Sequence, residues 1–274
     1  MIHLGLIGYP LEYSLSPKIH SAALNAFGLE GNYSLFPIRP DDKQSLRNLL
    51  ARVCGKEIAG LNVTIPHKQD VIQLLDELTP TAKVIGAVNT IYLKEDKLIG
   101  DNTDALGFLI DLNRLIYNQK SKIENHKSAI VLGAGGAARA VVYALITDGW
   151  NVAVVARRIE QTKSLAGSFK NMNITDNISN INLLNTSLIV NATSIGMMPN
   201  IDQSPLPEKT QLHQDVFVYD LVYNPTVTKL VNDVRAQGLN ATTGLGMLIE
   251  QAALSFQIWT NYDPPRDILF DAVK

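Results

Sequence analysis

The chain has 274 residues, with 24 Lys and Arg against 26 Asp and Glu for a net charge of −2, and 46% hydrophobic against 18% charged residues. That length supports one or two domains with sizeable cores, and the near-neutral balance argues against nucleic-acid and membrane-surface partners. One cysteine (Cys54) excludes a disulfide framework, the five histidines are too scattered for a metal site, and the N-terminus lacks the basic residues and apolar length of a signal peptide; a reduced, cytoplasmic protein without metal is expected.

Short apolar runs alternate with helical patterns, the mark of βα units and an α/β fold. A strand is predicted at 3–8, followed by a helix from Pro17 to Phe27 that Gly28 closes as the C′ residue. A strand near 32–38 and a helix near 42–53 come next. In "LNVTIPHK" (61–68), Leu61, Val63 and Ile65 alternate with Asn62 and Thr64, giving a strand with one apolar and one polar face. Pro66 ends that strand and is suited to open a helix carrying Val71, Ile72, Leu74 and Leu75. Lys68 then falls in the first helical turn, beside the positive end of the macrodipole, where a purely solubilising lysine is poorly placed. "AVNTIYL" (87–93) is a further strand, turned by "KEDK" into "LIG", and a long helix runs from Asp104 to Tyr117.

Residues 118–127 are polar and form a surface connection. Beyond them, "SAIVLG" (128–133), "NVAVVA" (151–156), "SLIVNA" (187–192) and "VFVYDL" (216–221) are nearly continuous apolar runs. Strands covered on both faces of a parallel sheet have this texture. Helices are predicted at 136–148, around 160–170 and at 226–237. A short strand and helix fall within the asparagine-rich 171–185, a last strand near 239–243 and a final helix at 246–259.

"LGAGGAARA" (132–140) follows a strand and opens a helix, and Gly133, Gly135 and Ala138 fit the dinucleotide fingerprint G-x-G-x-x-A. Glycine loops also serve ordinary turns, but the strand–loop–helix order favours a pyrophosphate held on free N–H groups. Where NAD-binding units carry an acid for the ribose 2′-OH, this chain has Arg157 and Arg158. Two guanidinium groups favour a 2′-phosphate, hence NADP over NAD.

Hydride chemistry at a carbinol carbon also needs a proton acceptor or donor at oxygen. Lys68, with a charge disfavoured at a helix start, and Asp104, at another helix start, are the candidates for a pair sharing that proton. Each has a plainer reading: Asp104 as a helix-start residue, Lys68 as a solvated one, Asn89 in a self-bonded turn. Ser16 serves equally well as an N-cap before Pro17 at N1, which leaves Ser14 unexplained.

Taken together, "SLSP", "NVTIPHK", "AVNT", "DNTDALG", "GAGGAAR", "NATSIGM" and "YNP", in this order, resemble the shikimate dehydrogenase family over essentially the whole chain. The resemblance implies two α/β domains, an N-terminal substrate domain and a Rossmann-type parallel-sheet domain. It places the first at 1–103 plus 242–274, with the C-terminal helix returning to it, and the NADP-binding domain at 104–241. It further implies reversible NADPH-dependent reduction of 3-dehydroshikimate to shikimate, a step of aromatic amino acid biosynthesis. Ser14 and Ser16 would hold the substrate carboxylate, Thr64, Asn89, Asp104 and Gln251 its hydroxyls, and Tyr223 the substrate side of the cleft. Lys68 would be the catalytic acid/base, assisted by Asp104. Gly133, Ala134, Gly135, Gly136 and Ala137 would form the diphosphate loop, Arg157 and Arg158 the 2′-phosphate clamp, and Asn191, Thr193, Leu221 and Gly244 the nicotinamide end. Ala156-Arg157-Arg158 replaces the family's usual Asn-Arg-Thr, losing two hydrogen-bonding side chains and gaining a guanidinium; Tyr13 stands where histidine or glutamine is common.

Two rivals are disfavoured on residues. An NAD-dependent quinate/shikimate dehydrogenase would need the missing acid, and within the family the chain resembles, Ser-x-Ser, as opposed to Ser-x-Thr, implies shikimate. A non-catalytic sensor of the same fold would not need both Lys68 and Asp104. Monomer and homodimer are equally compatible with the sequence.

Overall fold

A computed structural model describes residues 1–118, 127–157, 172–178, 181, 183–208 and 210–274. The helix expected around 160–170, most of the connection at 118–127, and Arg158 lie outside the described residues. The chain divides into two compact units, Met1–Gly107 with Ile249–Lys274, and Phe108–Leu248. The expected boundaries, 103/104 and 241/242, lie a few residues earlier in the chain.

The first unit is built on a six-stranded mixed sheet: β1 (Ile2–Gly8), β2 (Gly31–Pro37), β3 (Gly60–Val63), β4 (Glu77–Leu78), β5 (Thr90–Lys94) and β6 (Lys97–Asp101), in the order β2-β1-β3-β5-β6-β4. β1 runs parallel to β2 and β3, while β5 is antiparallel to both β3 and β6. Glu95 and Asp96, both at positive φ, make the two-residue turn between β5 and β6, the geometry that matches strand twist in a tight hairpin. Helix α1 (Ser16–Ala26) ends as expected at Gly28 (φ +61): Gly28 N–H donates to Asn25 and Leu29 N–H to the Leu24 carbonyl, the paired bonds of a Schellman ending. Helix α2 (Lys43–Cys54) is capped by the Asp42 carboxylate, which accepts from Ser45 N–H. Ile7, Leu50, Val53, Leu61, Val63 and Ile91 are among the residues of the core between sheet and helices.

Three expectations fail in this unit. β3 is buried along its whole length because it is an interior strand covered on both faces, so Asn62 sits in a buried polar network and Ile65, beyond the strand end, is exposed. No α-helix follows Pro66; residues 65–69 form turns leading to a single 3₁₀ segment, Asp70–Leu74. The cause is non-local: the Lys68 carbonyl accepts from Val88 N–H at 2.7 Å, while Ile72 N–H bonds Gln69 instead. With that carbonyl taken by a distant segment, the i→i−4 ladder does not propagate. Third, Ser16 is not the cap of α1. Leu15 occupies that position without a side-chain bond, and the Ser16 N–H donates instead to Ser14 Oγ at 3.3 Å. Unforeseen were β4 and helix α3 (Pro80–Ile85), the latter capped by Thr79 and closed by Gly86 at φ +67.

In the second unit, β7 (Ser128–Leu132), β8 (Asn151–Val155), β9 (Asn173–Thr175), β10 (Leu188–Asn191), β11 (Phe217–Asp220) and β12 (Asn240–Thr243) form an all-parallel sheet in the order β12-β11-β10-β7-β8-β9. Numbered within the unit, this is the 3-2-1-4-5-6 order of a Rossmann domain, with the switch point between β7 and β10. Helix α4 (Asp104–Asn118) starts in the first unit and continues in the second; α5 (Gly136–Thr147) follows β7, and α6 (Lys229–Arg235) precedes β12. α6 is shorter than the expected 226–237 because Thr228 caps it, accepting from Val231 N–H. Helix α7 (Leu245–Thr260) crosses back, and an unforeseen α8 (Arg266–Asp271) ends the first unit.

Candidate active site

Lys68 and Asp104 meet in the first unit. Nζ donates to Asp104 Oδ2 at 2.5 Å, with side chains 12% and 5% exposed. The turn holding Lys68 is fixed from both sides, by the Val88 N–H on its carbonyl and by His67, whose buried Nε2 donates to the Ile38 carbonyl at 2.7 Å. Asp104 is the first residue of α4. The macrodipole therefore acts on the carboxylate and not on the lysine, and a helix N-terminus is the favourable place for an acid.

Asn89, one residue before β5, links this pair to the rest of the cluster. Its Nδ2 donates to Asp104 Oδ1 at 2.8 Å and lies 3.2 Å from Gln251 Oε1, while its Oδ1 accepts from Thr103 N–H at 2.8 Å. The self-bonded turn is thus not what Asn89 does. Gln251 arrives on α7 through a close approach: at Gly107 an added Cβ would fall 2.7 Å from the Gln251 nitrogen. Four predicted residues, Lys68, Asp104, Asn89 and Gln251, are joined by hydrogen bonds. Ser14, in the loop after β1, accepts from the N–H of Ser16, the first residue of α1, and Thr64 follows β3 half-buried; among the described residues no hydrogen bond ties these three to the cluster.

In the second unit, Gly133 takes φ +111 and its N–H donates to the Val155 carbonyl, a conformation that excludes a side chain. An added Cβ there would press on Ala192 and Thr193 across the switch point, whereas at Gly135 it would meet nothing within 4 Å. Open space over Gly135, with α5 starting at Gly136, is a cradle that fits a pyrophosphate. Arg157 stands exposed just past β8, on the side the ribose fingerprint uses.

At the far side of the switch point Asn191 is wholly buried: Nδ2 donates to Asp220 Oδ1 at 2.8 Å, and Oδ1 accepts from the Thr193 N–H and hydroxyl. Its side chain thus shapes the loop behind Thr193. Burial pushes the Asp220 carboxyl up to about 6, against the donors Thr228, Val222 and Asn191. Leu221 N–H bonds the Asn191 carbonyl, and Gly244 packs so close to Leu221 that an added Cβ would lie 2.3 Å from its oxygen. Tyr223 is partly buried, which raises its phenol above the ordinary value.

Residues 6–91 match the model of the shikimate dehydrogenase substrate binding domain, 116–239 that of shikimate/quinate 5-dehydrogenase, and 244–274 that of the shikimate 5′-dehydrogenase C-terminal domain. A shikimate dehydrogenase (NADP(+)) of Methanopyrus kandleri is 39% identical, the match spanning 98% of this chain and 94% of the relative. The chain belongs to the shikimate dehydrogenase family. Among solved structures, a shikimate dehydrogenase in complex with NADP+ is similar with a TM-score of 0.88 at 36% identity, covering 100% of this chain and 94% of that one. The Thermus thermophilus shikimate 5-dehydrogenase in complex with NADP(H) and shikimate gives 0.86 at 35% identity, covering 99% and 98%. Missing from the sequence reading of this shikimate dehydrogenase family member were Thr90, Thr103 and Ser255, buried hydroxyls around Asn89. Their only local signal is their position beside or one turn from predicted site residues.

Proposed function

We propose that the chain catalyses the reversible NADPH-dependent reduction of 3-dehydroshikimate to shikimate. The observation that carries this reading is the Lys68–Asp104 pair, bonded through Asn89 to Gln251 in a chain of this family. NADPH, when bound, supplies the hydride. The residues suited to hold it are Gly133 to Ala137 for the pyrophosphate, Arg157 and Arg158 for the 2′-phosphate, and Thr193, Leu221 and Gly244, with Asn191 behind them, for the nicotinamide end.

Reduction of a ketone adds a proton at oxygen, and Lys68 Nζ is the group that gives it, taking it back in the oxidative direction. Asp104 holds that ammonium through one oxygen while its other oxygen accepts from Asn89. Ser14 and Ser16 are assigned to the substrate carboxylate; Thr64, Asn89, Asp104 and Gln251 to its hydroxyls; Tyr223 to the substrate as well. The same reading places residues 1–103 plus 242–274 with the substrate and 104–241 with the coenzyme, and makes the protein a cytoplasmic enzyme, monomer or homodimer, without a nucleic-acid partner. No described helix is long and apolar enough to cross a membrane.

The test is loss of reduced-nicotinamide absorbance with 3-dehydroshikimate, run with NADPH and with NADH. Turnover with NADPH at a kcat/KM at least about tenfold above NADH is expected, the difference one charge-assisted phosphate contact makes. Preference for NADH, or no turnover with either, would contradict the assignment.

A further inference from the structure

Behind Asn89 lie buried polar groups with no role in the reaction as assigned: Asn62, Thr90 and Ser255, the last wholly buried on α7 one turn beyond Gln251. Each hydroxyl has one hydrogen, so bond directions follow from partners whose roles are fixed. Asn89 Oδ1 must accept, because Thr103 N–H points at it at 2.8 Å, and Nδ2 must donate, because the Asp104 carboxylate is its partner. Asn62 Nδ2 must donate to the Asn89 carbonyl at 3.1 Å, so its oxygen accepts from the Tyr33 hydroxyl and its other N–H goes to Ser255 Oγ at 3.0 Å. Thr90 gives its hydrogen to Asn89 Oδ1 at 2.9 Å. At the 2.7 Å contact between Thr90 and Ser255 the serine is then the donor. The single Ser255 hydrogen is shared with the Gln251 carbonyl at 2.9 Å, an oxygen that also accepts from the Thr103 hydroxyl at 3.1 Å. Two bonds of fixed direction, Thr90 to Asn89 and Asn89 to Asp104, lead to the carboxylate whose other oxygen holds Lys68, and Ser255 stands against Thr90 behind them.

We infer that Ser255 and Thr90 are positioning residues for the reaction, acting in series through the Asn89 amide to hold the Asp104 carboxylate against Lys68. The inference rests on the assignment of Lys68 and Asp104 to the proton transfer. A rotated Asn89 amide would set its oxygen against the carboxylate; the Thr90 hydroxyl opposes that rotation, and Ser255 Oγ, 2.7 Å from Thr90 Oγ1, holds the threonine in place. Outer partners of this kind matter because groups at the reacting centre must be held within a fraction of an ångström.

Thr90→Val removes the hydroxyl at nearly constant shape, Thr90→Ser keeps it, and Ser255→Ala removes the preceding donor. Steady-state kinetics of the full-length variants with 3-dehydroshikimate and NADPH should show kcat down about tenfold in Thr90→Val and several-fold in Ser255→Ala, the scale of one lost hydrogen bond at the transition state. The NADPH KM should stay unchanged, and Thr90→Ser should remain within about twofold of the parent. The double variant Ser255→Ala/Thr90→Val should be no slower than Thr90→Val alone, since residues in series do not add. Thr90→Ser as slow as Thr90→Val, a multiplicative double variant, or unchanged kcat in both single variants overturns the positioning role. Should Ser255→Ala fail to fold, the Thr90 pair decides. Lys68→Ala assayed alongside separates the two levels: full kcat there would remove the catalytic assignment and the inference with it, whereas a dead Lys68→Ala beside an unaffected Thr90→Val removes the inference alone.

Discussion

Asp104 occupies the place where a helix favours a carboxylate, and Lys68 is delivered to it from a turn 36 residues earlier in the chain. What holds the lysine there is a turn anchored at two points, by Val88 N–H on the Lys68 carbonyl and by His67 Nε2 on the Ile38 carbonyl. A local pattern of Val71, Ile72, Leu74 and Leu75 suggests a helix, but no local pattern reports that a distant N–H will take the carbonyl the helix needs. Hence the lysine and the aspartate were legible as residue types, and their order of dependence was not. Ser16 shows the same limit: Ser-Pro is a good helix-start pair, yet the serine that bonds a backbone N–H there is Ser14. His20 carries a consequence of its own. It is buried against Tyr33, ring centroids 4.3 Å apart, and among the described residues neither ring nitrogen has a hydrogen-bond partner. Burial pushes its imidazole from 6.5 down to about 3, with the Asn62 side chain opposing weakly. Below pH 6.5 the unfolded chain takes up a proton that the folded chain refuses, so stability is full above 6.5 and falls as pH drops toward 3. The slope is roughly 1.4 kcal/mol per pH unit. Urea unfolding of the parent and of His20→Phe at about pH 7 and about pH 5, either side of the ordinary histidine value, should show a smaller acid loss in the variant; equal losses would mean that His20 is not the group that titrates.

Elements and their ends decide how close the chain can come to itself. Glycines at two of these ends have opposite duties. At Gly246, near the start of α7, an added Cβ would lie 2.2 Å from the Asp111 carboxylate on α4, which also accepts the Tyr219 hydroxyl at 2.6 Å from β11. At Gly135, the N-cap of α5, an added Cβ would touch nothing within 4 Å. Gly246→Ala should therefore lose about 2–4 kcal/mol of stability through overpacking against a buried carboxylate. Gly135→Ala should leave the unfolding midpoint nearly unchanged while raising the NADPH KM about tenfold or more, because the methyl would fill the space proposed for the pyrophosphate. A destabilised Gly135→Ala with unaltered NADPH kinetics would reverse these duties. The strands of the second unit were the most legible elements, since burial on both faces leaves continuous apolar runs such as "SAIVLG" and "VFVYDL". Helix α3 and β4 escaped notice, no element being predicted between Leu75 and Ala87, although Thr79-Pro80 and Gly86 mark the start and stop of α3. β3 misled in the other direction: alternation in "LNVTI" promised a wet face, but an interior strand with both faces covered keeps Asn62 dry in a hydrogen-bonded network.

For the whole molecule, the decisive fact is that the first unit is not continuous in sequence. Ile249–Lys274 completes it, bringing Gln251 to Asn89 and Ser255 to Thr90 and seating Trp259, whose Nε1 donates to the Ile91 carbonyl. At Gly60 an added Cβ would fall 2.1 Å from that indole. Nothing in the local sequence of α7 says which half of the chain it joins; the family resemblance did, and the contacts of Gln251 and Trp259 supply the physical reason. Both helices that cross between units, α4 and α7, contribute to the polar cluster at their first-unit ends, through Asp104 and Gln251. The central claim is that Lys68 moves the proton in a reaction whose other groups only bind and orient. It is tested most directly by steady-state kinetics of Lys68→Ala with 3-dehydroshikimate and NADPH, beside the parent enzyme. The expected result is a kcat lower by about three orders of magnitude or more with substrate KM within a few-fold, the pattern of an interaction made only in the transition state. A variant that keeps kcat and merely raises KM would make Lys68 a binding residue and contradict the claim.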